Sequence, residues 1–248
     1  MAVPNDAATP GSSGARRGAD RGTTLAGDGS EAKAFVVAVP DGSRHDRAYG
    51  RWGKRALDLV IAGLAVVVAL PILGLAALAV RLTMGSPVLF RQVRLGRDGV
   101  PFEVLKFRTM KPDRRGTLVV VDDWDGVDRR RTHKTREHPL LTPVGTFMRR
   151  YSIDELPQIL NVLRGEMSIV GPRPELPSVA AGYEPWQDAR MLVRPGLTGL
   201  WQINARGTGP MHEGVGYDID YLQQMGLLCD LRIVLATPKA MFGDHKGY

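Results

Sequence analysis

An adjacent pair of carboxylates, Asp154 and Glu155, opens a segment whose apolar residues have helical spacing. Basic residues accompany the pair at the end of a strand-like run, just before the pair itself, and in rigid Pro- and Gly-rich contexts. They are Lys106, Arg108, Arg149, Arg173 and Arg194. A carboxylate can hold Mg²⁺ or attack phosphorus, and one guanidinium group can donate to two phosphate oxygens at once. These residue types together are typical of phosphoryl transfer.

The same residues also allow a simpler interpretation. Ser152 and Glu155 match the S-x-x-E capping box, in which the glutamate only satisfies a helix N-terminus. Each arginine, taken singly, could serve a surface ion pair or a carbonyl contact. The sequence contains no G-x-x-x-x-G-K-[ST] loop, no G-x-G-x-x-G and no H-E-x-x-H motif. The one cysteine, Cys229, excludes an intramolecular disulfide and a clustered cysteine metal site.

A 22-residue apolar run, Leu59 to Val80, contains no charged side chain. As a helix it would extend roughly 33 Å, about the thickness of a bilayer's hydrocarbon core. A helix of a soluble protein normally has a polar face, and this run has none. Pro71 lies just past its middle and favours a kink. Basic residues flank both ends, and such flanks prefer the cytoplasmic side. The residues alone leave open a single span or a broken helix that enters and leaves one leaflet.

The net charge of +7 is concentrated in the N-terminal part of the chain. Residues 1–112 hold 16 basic and nine acidic side chains, whereas residues 113–248 are neutral overall. Because this excess surrounds the apolar run, it favours anionic lipid over nucleic acid as a partner. The length of 248 residues allows one or two domains that form their own core.

Strand-like runs at 87–94 and 100–110 follow the apolar segment, and between them Asp98-Gly99 is a hairpin-turn signal. Residues 1–32 are rich in small and polar side chains, which indicates disorder. The charge-dense residues 113–138 indicate a solvated excursion or, alternatively, a loop that contacts lipid headgroups or substrate.

The second half of the chain is predicted to be helical, with ordered loops between the helices. Residues 139–170 fit two helices, the second of which ends at a Gly165 C-cap. Pro- and Gly-rich stretches around Arg173 and Arg194 fit loops on a rigid support. Residues 217–242 fit an amphipathic helix.

Several long motifs, in order, resemble one known family. The string RRYSIDELPQILNVLRGEMSIVGPRPELP closely resembles the signature of the bacterial sugar transferases, which are monotopic polyprenyl-phosphate phosphoglycosyl transferases. KRALDLVIAG resembles the start of their membrane helix. The segments GSPVLFRQVRLGRDGVPFEVLKFRTM, RPGLTGLWQINARG and YDIDYLQQMGLLCDLRIVLAT also match, so the similarity covers residues 51–248.

The resemblance implies transfer of a sugar 1-phosphate from a UDP-sugar to undecaprenyl phosphate, which releases UMP and initiates exopolysaccharide or other glycoconjugate synthesis. Asp154 matches the family's nucleophile, which forms a covalent phosphosugar intermediate, and Glu155 matches its neighbour; both are implied ligands of Mg²⁺. The implied substrate-binding residues are Lys106, Arg108, Arg149, Pro172, Arg173, Pro174 and Arg194. The implied membrane residues are Lys54, Arg55, Asp58 and Pro71.

The resemblance therefore predicts an α+β, mainly helical fold: a monotopic membrane protein with a re-entrant N-terminal helix broken near Pro71, a small β-hairpin and a cytosolic catalytic domain. The expected parts are a disordered tail (1–50), the membrane helix (51–82) and the transferase domain (83–248). The implied location is the cytoplasmic face of the bacterial inner membrane. The expected partners are the two substrates, membrane lipid and downstream glycosyltransferases but no nucleic acid, and the family is compatible with a homodimer.

Two departures from the family and three alternative functions accompany this interpretation. His138-Pro139-Leu140 stands where relatives often have Asp-Pro-Arg, and the sequence resembles a short form without an array of preceding transmembrane helices.

The alternatives are a membrane-anchored nucleotide-sugar-binding protein without turnover, a membrane-attached scaffold, and a phosphatase or nucleotidyl transferase. The intact pair Asp154-Glu155 disfavours the first, the dense motifs disfavour the second, and UMP release would distinguish the third. The sequence does not indicate which sugar is transferred.

Overall fold

The computed structural model describes residues 49–111, 140–205 and 214–242 of the chain. The predictions for the tail up to residue 48, for the charged excursion 113–138 and for His138-Pro139 lie outside these residues. The described part is mainly helical and contains two small two-stranded sheets, which confirms the mainly helical α+β class.

One helix of 31 residues, α1 (Lys54–Met84), contains the apolar run and follows a π-helical turn at Tyr49–Gly53. It begins three residues and ends two residues later than the predicted segment 51–82. Sequence analysis predicted a helix broken near Pro71, but the helical residues continue through this proline. A proline removes one hydrogen bond of the ladder while the neighbouring turns keep theirs, so the helix has no interruption there.

One stripe of α1 packs against the rest of the protein, and its members are mostly small or polar. They are Lys54, Asp58, Ala62, Ala69, Ala76 and Val80. The other faces expose large apolar side chains such as Val68 (74%) and Leu82 (76%). A core helix of a soluble protein would be mostly buried, whereas only 17% of the most apolar window of α1 is buried. By length and composition α1 could cross a membrane.

A β-hairpin follows α1. Strands β1 (Leu89–Leu95) and β2 (Pro101–Phe107) pair antiparallel along their whole length. The turn contains Asp98 with φ of 57° and Gly99 with φ of 73°, and Asp and Gly are residue types that adopt this left-handed conformation most readily. The structure confirms the predicted hairpin and its turn.

The carboxylate motif lies between two short helices, α2 (Pro143–Arg150) and α3 (Ile159–Arg164), in the 3-10 segment Ile153–Gln158. Gly165 has a φ of 87° and ends α3, as predicted. The predicted capping box is wrong: Ser152 has a φ of 54°, and its side chain makes no capping hydrogen bond. An N-cap residue needs extended backbone angles, which a left-handed residue does not have.

A second small sheet consists of the parallel strands β3 (Ser168–Val170) and β4 (Gly196–Thr198). The chain between them forms two single-turn helices, α4 (Pro177–Ala180) and α5 (Pro185–Asp188), and a 3-10 turn at Ala189–Leu192. Both strands lead directly into or out of the Pro- and Gly-rich loops, which therefore rest on the sheet.

Three helices complete the described chain: α6 (Leu200–Asn204), α7 (Val215–Gln224) and α8 (Leu227–Phe242). The amphipathic helix predicted over 217–242 is thus two helices, because Met225 has an extended ψ of 117° and ends the first of them. A common apolar core joins these helices to α1, α3 and β3. Its buried members are Ala62, Ile159, Val162, Met167, Ile169, Val170, Tyr221 and Ile233.

Candidate active site

The carboxylate pair lies in the first turn of the 3-10 segment Ile153–Gln158. Since a 3-10 helix has three residues per turn, Glu155 and Gln158 lie on one face, and Asp154 lies beside that face. Pro157 and Gln158 are buried and anchor the end of the segment. Both carboxylates are therefore held on a short helical element with a fixed base.

Glu155 is the common acceptor for two cations from distant parts of the chain. The Lys106 ammonium lies 3.3 Å from Glu155 Oε1. Arg173 donates through Nη1 to Oε2 at 3.3 Å and through Nη2 to Oε1. Side chains of all three residues are about one-fifth exposed. The structure thus brings together three of the residues that sequence analysis assigned to the phosphate site.

Asp154 has a different electrostatic environment from its neighbour. Burial raises the pKa of its carboxyl to about 6, and the charge of Glu155 contributes to the rise. Lys106, Arg149 and Arg173 act in the opposite direction and lower this pKa. The result is a poorly solvated carboxylate that is ionised near neutral pH, which suits a nucleophile.

Arg149 is positioned by contacts between α2 and the end of β2. Its Nε donates to Thr109 Oγ1 at 3.0 Å. Thr142 caps α2 by accepting from the Gly145 N–H at 3.0 Å, and its own N–H donates to the Thr109 carbonyl at 3.3 Å. Thr109 therefore fixes both the start of α2 and the arginine in its last turn, near enough for Arg149 to lower the pKa of Asp154.

The loop Pro172-Arg173-Pro174 is fixed because all three of its carbonyl oxygens accept hydrogen bonds. The donors, in chain order, are the Gly196 N–H at 2.7 Å, the Arg190 guanidinium at 2.8 Å and the Arg94 guanidinium at 3.3 Å. Two prolines restrict the backbone further. The Arg173 side chain consequently meets Glu155 from a rigid base.

A buried cluster of polar residues supports this loop from behind. Arg190 contacts Glu175 at 3.3 Å, Asp218 at 2.8 Å and the Tyr183 hydroxyl at 2.6 Å. The Tyr183 hydroxyl in turn donates to Glu175 at 2.7 Å. Burial raises the pKa of Asp218 to about 6, although Arg190 opposes that rise. Sequence analysis missed this cluster, for which the only signal was an arginine in the otherwise uncharged turn 189–192.

Asn161 is a second residue that sequence analysis missed. It is completely buried in α3 and bonds to the free edge of β2: its amide accepts from the Leu105 N–H at 3.1 Å and donates to the Glu103 carbonyl at 2.7 Å. It thereby ties the helix after the carboxylates to the strand that carries Lys106. A polar residue among the apolar positions of ILNVL was the available signal.

Two predicted phosphate-site arginines lie elsewhere. Arg108 donates to the carbonyls at the end of α1, with Gly85 at 2.7 Å, Ser86 at 3.2 Å and Met84 as a third acceptor. Its observed role is to satisfy a helix C-terminus. For Arg194, the contacts found among the described residues do not include the carboxylate pair. Substrate binding by these two arginines stays a prediction.

Lys54, assigned to the membrane by sequence analysis, is buried inside the protein. Its ammonium contacts Asp230 at 2.7 Å, the Val170 carbonyl at 2.8 Å and the Tyr221 hydroxyl at 2.9 Å. The side chains of Lys54 and Asp230 are 8% and 1% exposed. An ammonium enclosed by these acceptors does not face lipid headgroups, so the contact joins the start of α1 to β3 and α8.

Arg55 and Asp58 also contact the protein, at α3 and at β3. Arg55 donates to the last carbonyls of α3, Val162 at 2.6 Å and Leu163 at 2.9 Å. Asp58 accepts from the Ser168 hydroxyl and from the next backbone N–H, both at 2.8 Å. The polar first turns of α1 therefore attach the helix to the domain, because Arg55 and Asp58 Oδ1 both have partners there, while Asp58 Oδ2 is buried without one.

The donor set fits a magnesium ion that is shared with substrate phosphates. Within residues 49–111, 140–205 and 214–242, no three His, Cys, Asp or Glu side chains gather into a closed metal site. Mg²⁺ usually keeps several waters and takes one or two carboxylates together with phosphate oxygens. Asp154 can supply such a ligand, whereas Mg²⁺ must compete with Lys106 and Arg173 for the oxygens of Glu155.

Comparison with known proteins adds independent information. The family model described as bacterial sugar transferase matches residues 49–244. The exopolysaccharide production protein ExoY of Sinorhizobium fredii is 36% identical over 227 residues, which cover 88% of this chain and 97% of that protein.

Among the relatives are proteins named UDP-glucose:undecaprenyl-phosphate glucose-1-phosphate transferase. The Caulobacter vibrioides protein is 42% identical over 203 residues, covering 79% of this chain and 72% of the relative. The Escherichia coli protein is also 42% identical over 203 residues, but the match covers only 41% of it. Because the family model matches well over half of the residues, the chain belongs to the bacterial sugar transferase family.

Proposed function

We propose that this polyprenyl-phosphate phosphoglycosyl transferase transfers a sugar 1-phosphate from a UDP-sugar to undecaprenyl phosphate, releasing UMP and initiating exopolysaccharide or other glycoconjugate synthesis. The names of the relatives support the reaction and the pathway class. The structural observation that carries the proposal is the carboxylate pair Asp154-Glu155, faced by Lys106, Arg149 and Arg173.

The proposed reaction has two displacements at phosphorus. An Asp154 carboxylate oxygen attacks the phosphorus that carries the sugar, and the bond to the bridging oxygen breaks, so UMP leaves with that oxygen. A phosphate oxygen of undecaprenyl phosphate then attacks the same phosphorus and displaces Asp154. The product is undecaprenyl diphosphate sugar, and the carboxylate is regenerated.

The two carboxylates have different tasks in this scheme. Asp154 is poorly solvated, and little water has to be removed before it attacks. Glu155 holds Lys106 and Arg173 in place, where they oppose the negative charge that develops on the phosphate oxygens. When bound, Mg²⁺ would neutralise part of the diphosphate charge, and Asp154 with Glu155 would hold it.

The arrangement of α1 supports a monotopic topology at the cytoplasmic face of the inner membrane. At the start of α1, Lys54 and Asp58 bind residues of β3. At its end, the Gly85 and Ser86 carbonyls accept hydrogen bonds from Arg108, which follows β2. Because residues toward both ends of α1 pack against the same domain, we infer that both ends face one side of the membrane and that the exposed apolar side enters one leaflet. This placement brings the carboxylates to the level of a lipid phosphate.

The function can be tested with the purified full chain, Mg²⁺, undecaprenyl phosphate and a panel of UDP-sugars. We expect one equivalent of UMP without the lipid and continuous UMP release with it. Asp154→Asn should lose both, whereas Asp98→Asn, at an exposed turn where asparagine also adopts positive φ, should retain both. Undiminished UMP release by Asp154→Asn would contradict the covalent step, and release of inorganic phosphate would indicate a phosphatase.

A further inference from the structure

A small cleft lies beside the ion pairs of Glu155. It extends away from the carboxylates along β2 and the Pro172-Arg173-Pro174 loop. Its lining residues are Arg94, Val104, Lys106, Gln158, Arg173 and Pro174. Three of these carry positive charge and none is acidic, so the cleft favours an anionic group with several oxygens.

Gln158 is the one neutral polar side chain in this lining. Only 3% of the residue is exposed, and its amide nitrogen is enclosed without a hydrogen-bond partner. Leaving a buried donor unpaired is unfavourable, and such groups in a folded protein require an explanation. Because Gln158 lies one 3-10 turn after Glu155, its amide is on the same face as the carboxylate that organises the cations.

The charges around the cleft indicate the kind of group that would pair with this amide. The ammonium of Lys106 and the guanidinium groups of Arg94 and Arg173 all line this cleft. An additional anion in the cleft would stabilise all three cations. A phosphate oxygen would at the same time accept a hydrogen bond from the Gln158 amide.

We infer that Gln158 contacts the substrate, donating a hydrogen bond from its amide to a diphosphate oxygen of the nucleotide sugar in the cleft lined by Lys106 and Arg173. The inference rests on the proposed function, because the UDP-sugar supplies the diphosphate. It assigns Gln158 to binding the donor, whereas Asp154 performs the chemistry.

The test uses the full chain in detergent, with UDP as the binding probe and UDP-glucose as the donor for the KM measurement. Gln158→Met keeps the volume of the side chain but removes the amide. We expect the Kd for UDP and the KM to rise about 10- to 100-fold, the loss of about one hydrogen bond to a charged group. The thermal midpoint should not fall, because no protein partner is lost.

Gln158→Glu is the second variant, and Gln223→Met, on the exposed surface of α7, is the matched control. The added carboxylate should weaken UDP binding more than methionine does, since it repels phosphate, while the neighbouring cations keep the fold stable. The control should leave Kd, KM and the thermal midpoint unchanged.

Unchanged UDP affinity in Gln158→Met and Gln158→Glu would overturn the inference, and so would a lower thermal midpoint in Gln158→Met, which would reveal a structural role. Failure of the proposed function has a different signature. In that case the wild type binds UDP but releases no UMP with any UDP-sugar, and the UDP affinities of the variants still decide the role of Gln158.

Discussion

Arg173 binds Glu155 with both terminal nitrogens of its guanidinium, and Nη1 lies 3.3 Å from Oε2. This two-point ion pair joins the Pro172-Arg173-Pro174 loop to the segment that carries the carboxylates. It also explains why two adjacent acidic residues are not equivalent. Glu155 accepts hydrogen bonds from two cations, whereas the charges of these cations act on Asp154 by lowering its pKa.

Arg173→Lys should reduce turnover while leaving the fold intact. Lysine keeps the positive charge but loses the planar fork, so it cannot bind both oxygens of Glu155 and a phosphate oxygen in the same geometry. We expect kcat/KM for UMP release to fall about 10- to 100-fold, the loss expected for one or two hydrogen bonds to charged groups. A variant with wild-type turnover and an unchanged thermal midpoint would contradict this role.

Lys106→Met should move the pH dependence of the reaction to higher pH. Asp154 must be ionised to attack, and its pKa of about 6 predicts that wild-type kcat/KM falls as the pH drops through that value. Because Lys106 lowers this pKa, its removal raises it, so the acidic limb should shift upward. The measurement is the kcat/KM profile for UMP release between about pH 5 and 8.

Arg91→Gln is the matched control for this profile. Arg91 lies on the same hairpin, 65% exposed, and pairs with the exposed Glu103 at 3.3 Å. It should change neither the position of the limb nor the rate at its plateau, because exposed pairs contribute little. A limb that stays in place in Lys106→Met would show that Asp154 ionisation does not control the reaction.

Features set by local sequence were predictable, and features set by distant partners were not. Asp98 is in a left-handed turn and Gly165 is at a helix end because of their own conformational preferences, so pattern alone located them. Lys54 and Asp58 were assigned to the membrane because KRALDLVIAG resembles the start of the family's membrane helix, whereas their partners in the protein lie 110 to 176 residues away.

The same distinction applies to the basic residues after the hairpin. Lys106 and Arg108 alternate as residues on one face of a strand would, and sequence analysis placed both at the phosphate site. Arg108 follows the last residue of β2, Phe107, and its side chain reaches the end of α1 instead. The roles of Asp154 as nucleophile and of Glu155 as its neighbour were inferred from a family resemblance, whereas the contacts of Glu155 with Lys106 and Arg173 emerged only from the structure.

Lys54→Met should destabilise the protein strongly. The ammonium is buried against Asp230 at 2.7 Å, and removing it leaves a carboxylate without its charge partner. Breaking a buried ion pair in this way costs about 3–5 kcal/mol of unfolding free energy. The double variant Lys54→Met/Asp230→Leu should recover part of this loss, since neither charge is then left unpaired. Denaturant unfolding of the four proteins measures the coupling, and strictly additive losses would show that the pair is not coupled.

Gly145→Ala should disrupt the attachment of α2. A Cβ at this position would lie 2.0 Å from the backbone oxygen of Thr109, which cannot move without shifting the end of β2. We expect a loss of about 3 kcal/mol or more in unfolding free energy, together with lower turnover, because Thr109 also holds Arg149. Gly216→Ala, in an exposed turn of α7 with open space around it, should be neutral or slightly stabilising.

The one-leaflet topology predicts that both ends of α1 are reached from the cytoplasm. Single cysteines at Trp52, which is 71% exposed, and at Arg91 should be suitable reporters in a Cys229→Ser background. Because both ends of the helix contact the domain that carries Asp154 and Glu155, an impermeant maleimide should label both positions in inverted vesicles and neither in intact spheroplasts. Labelling of Trp52→Cys only from the outside, with Arg91→Cys only from the inside, would instead establish a transmembrane span.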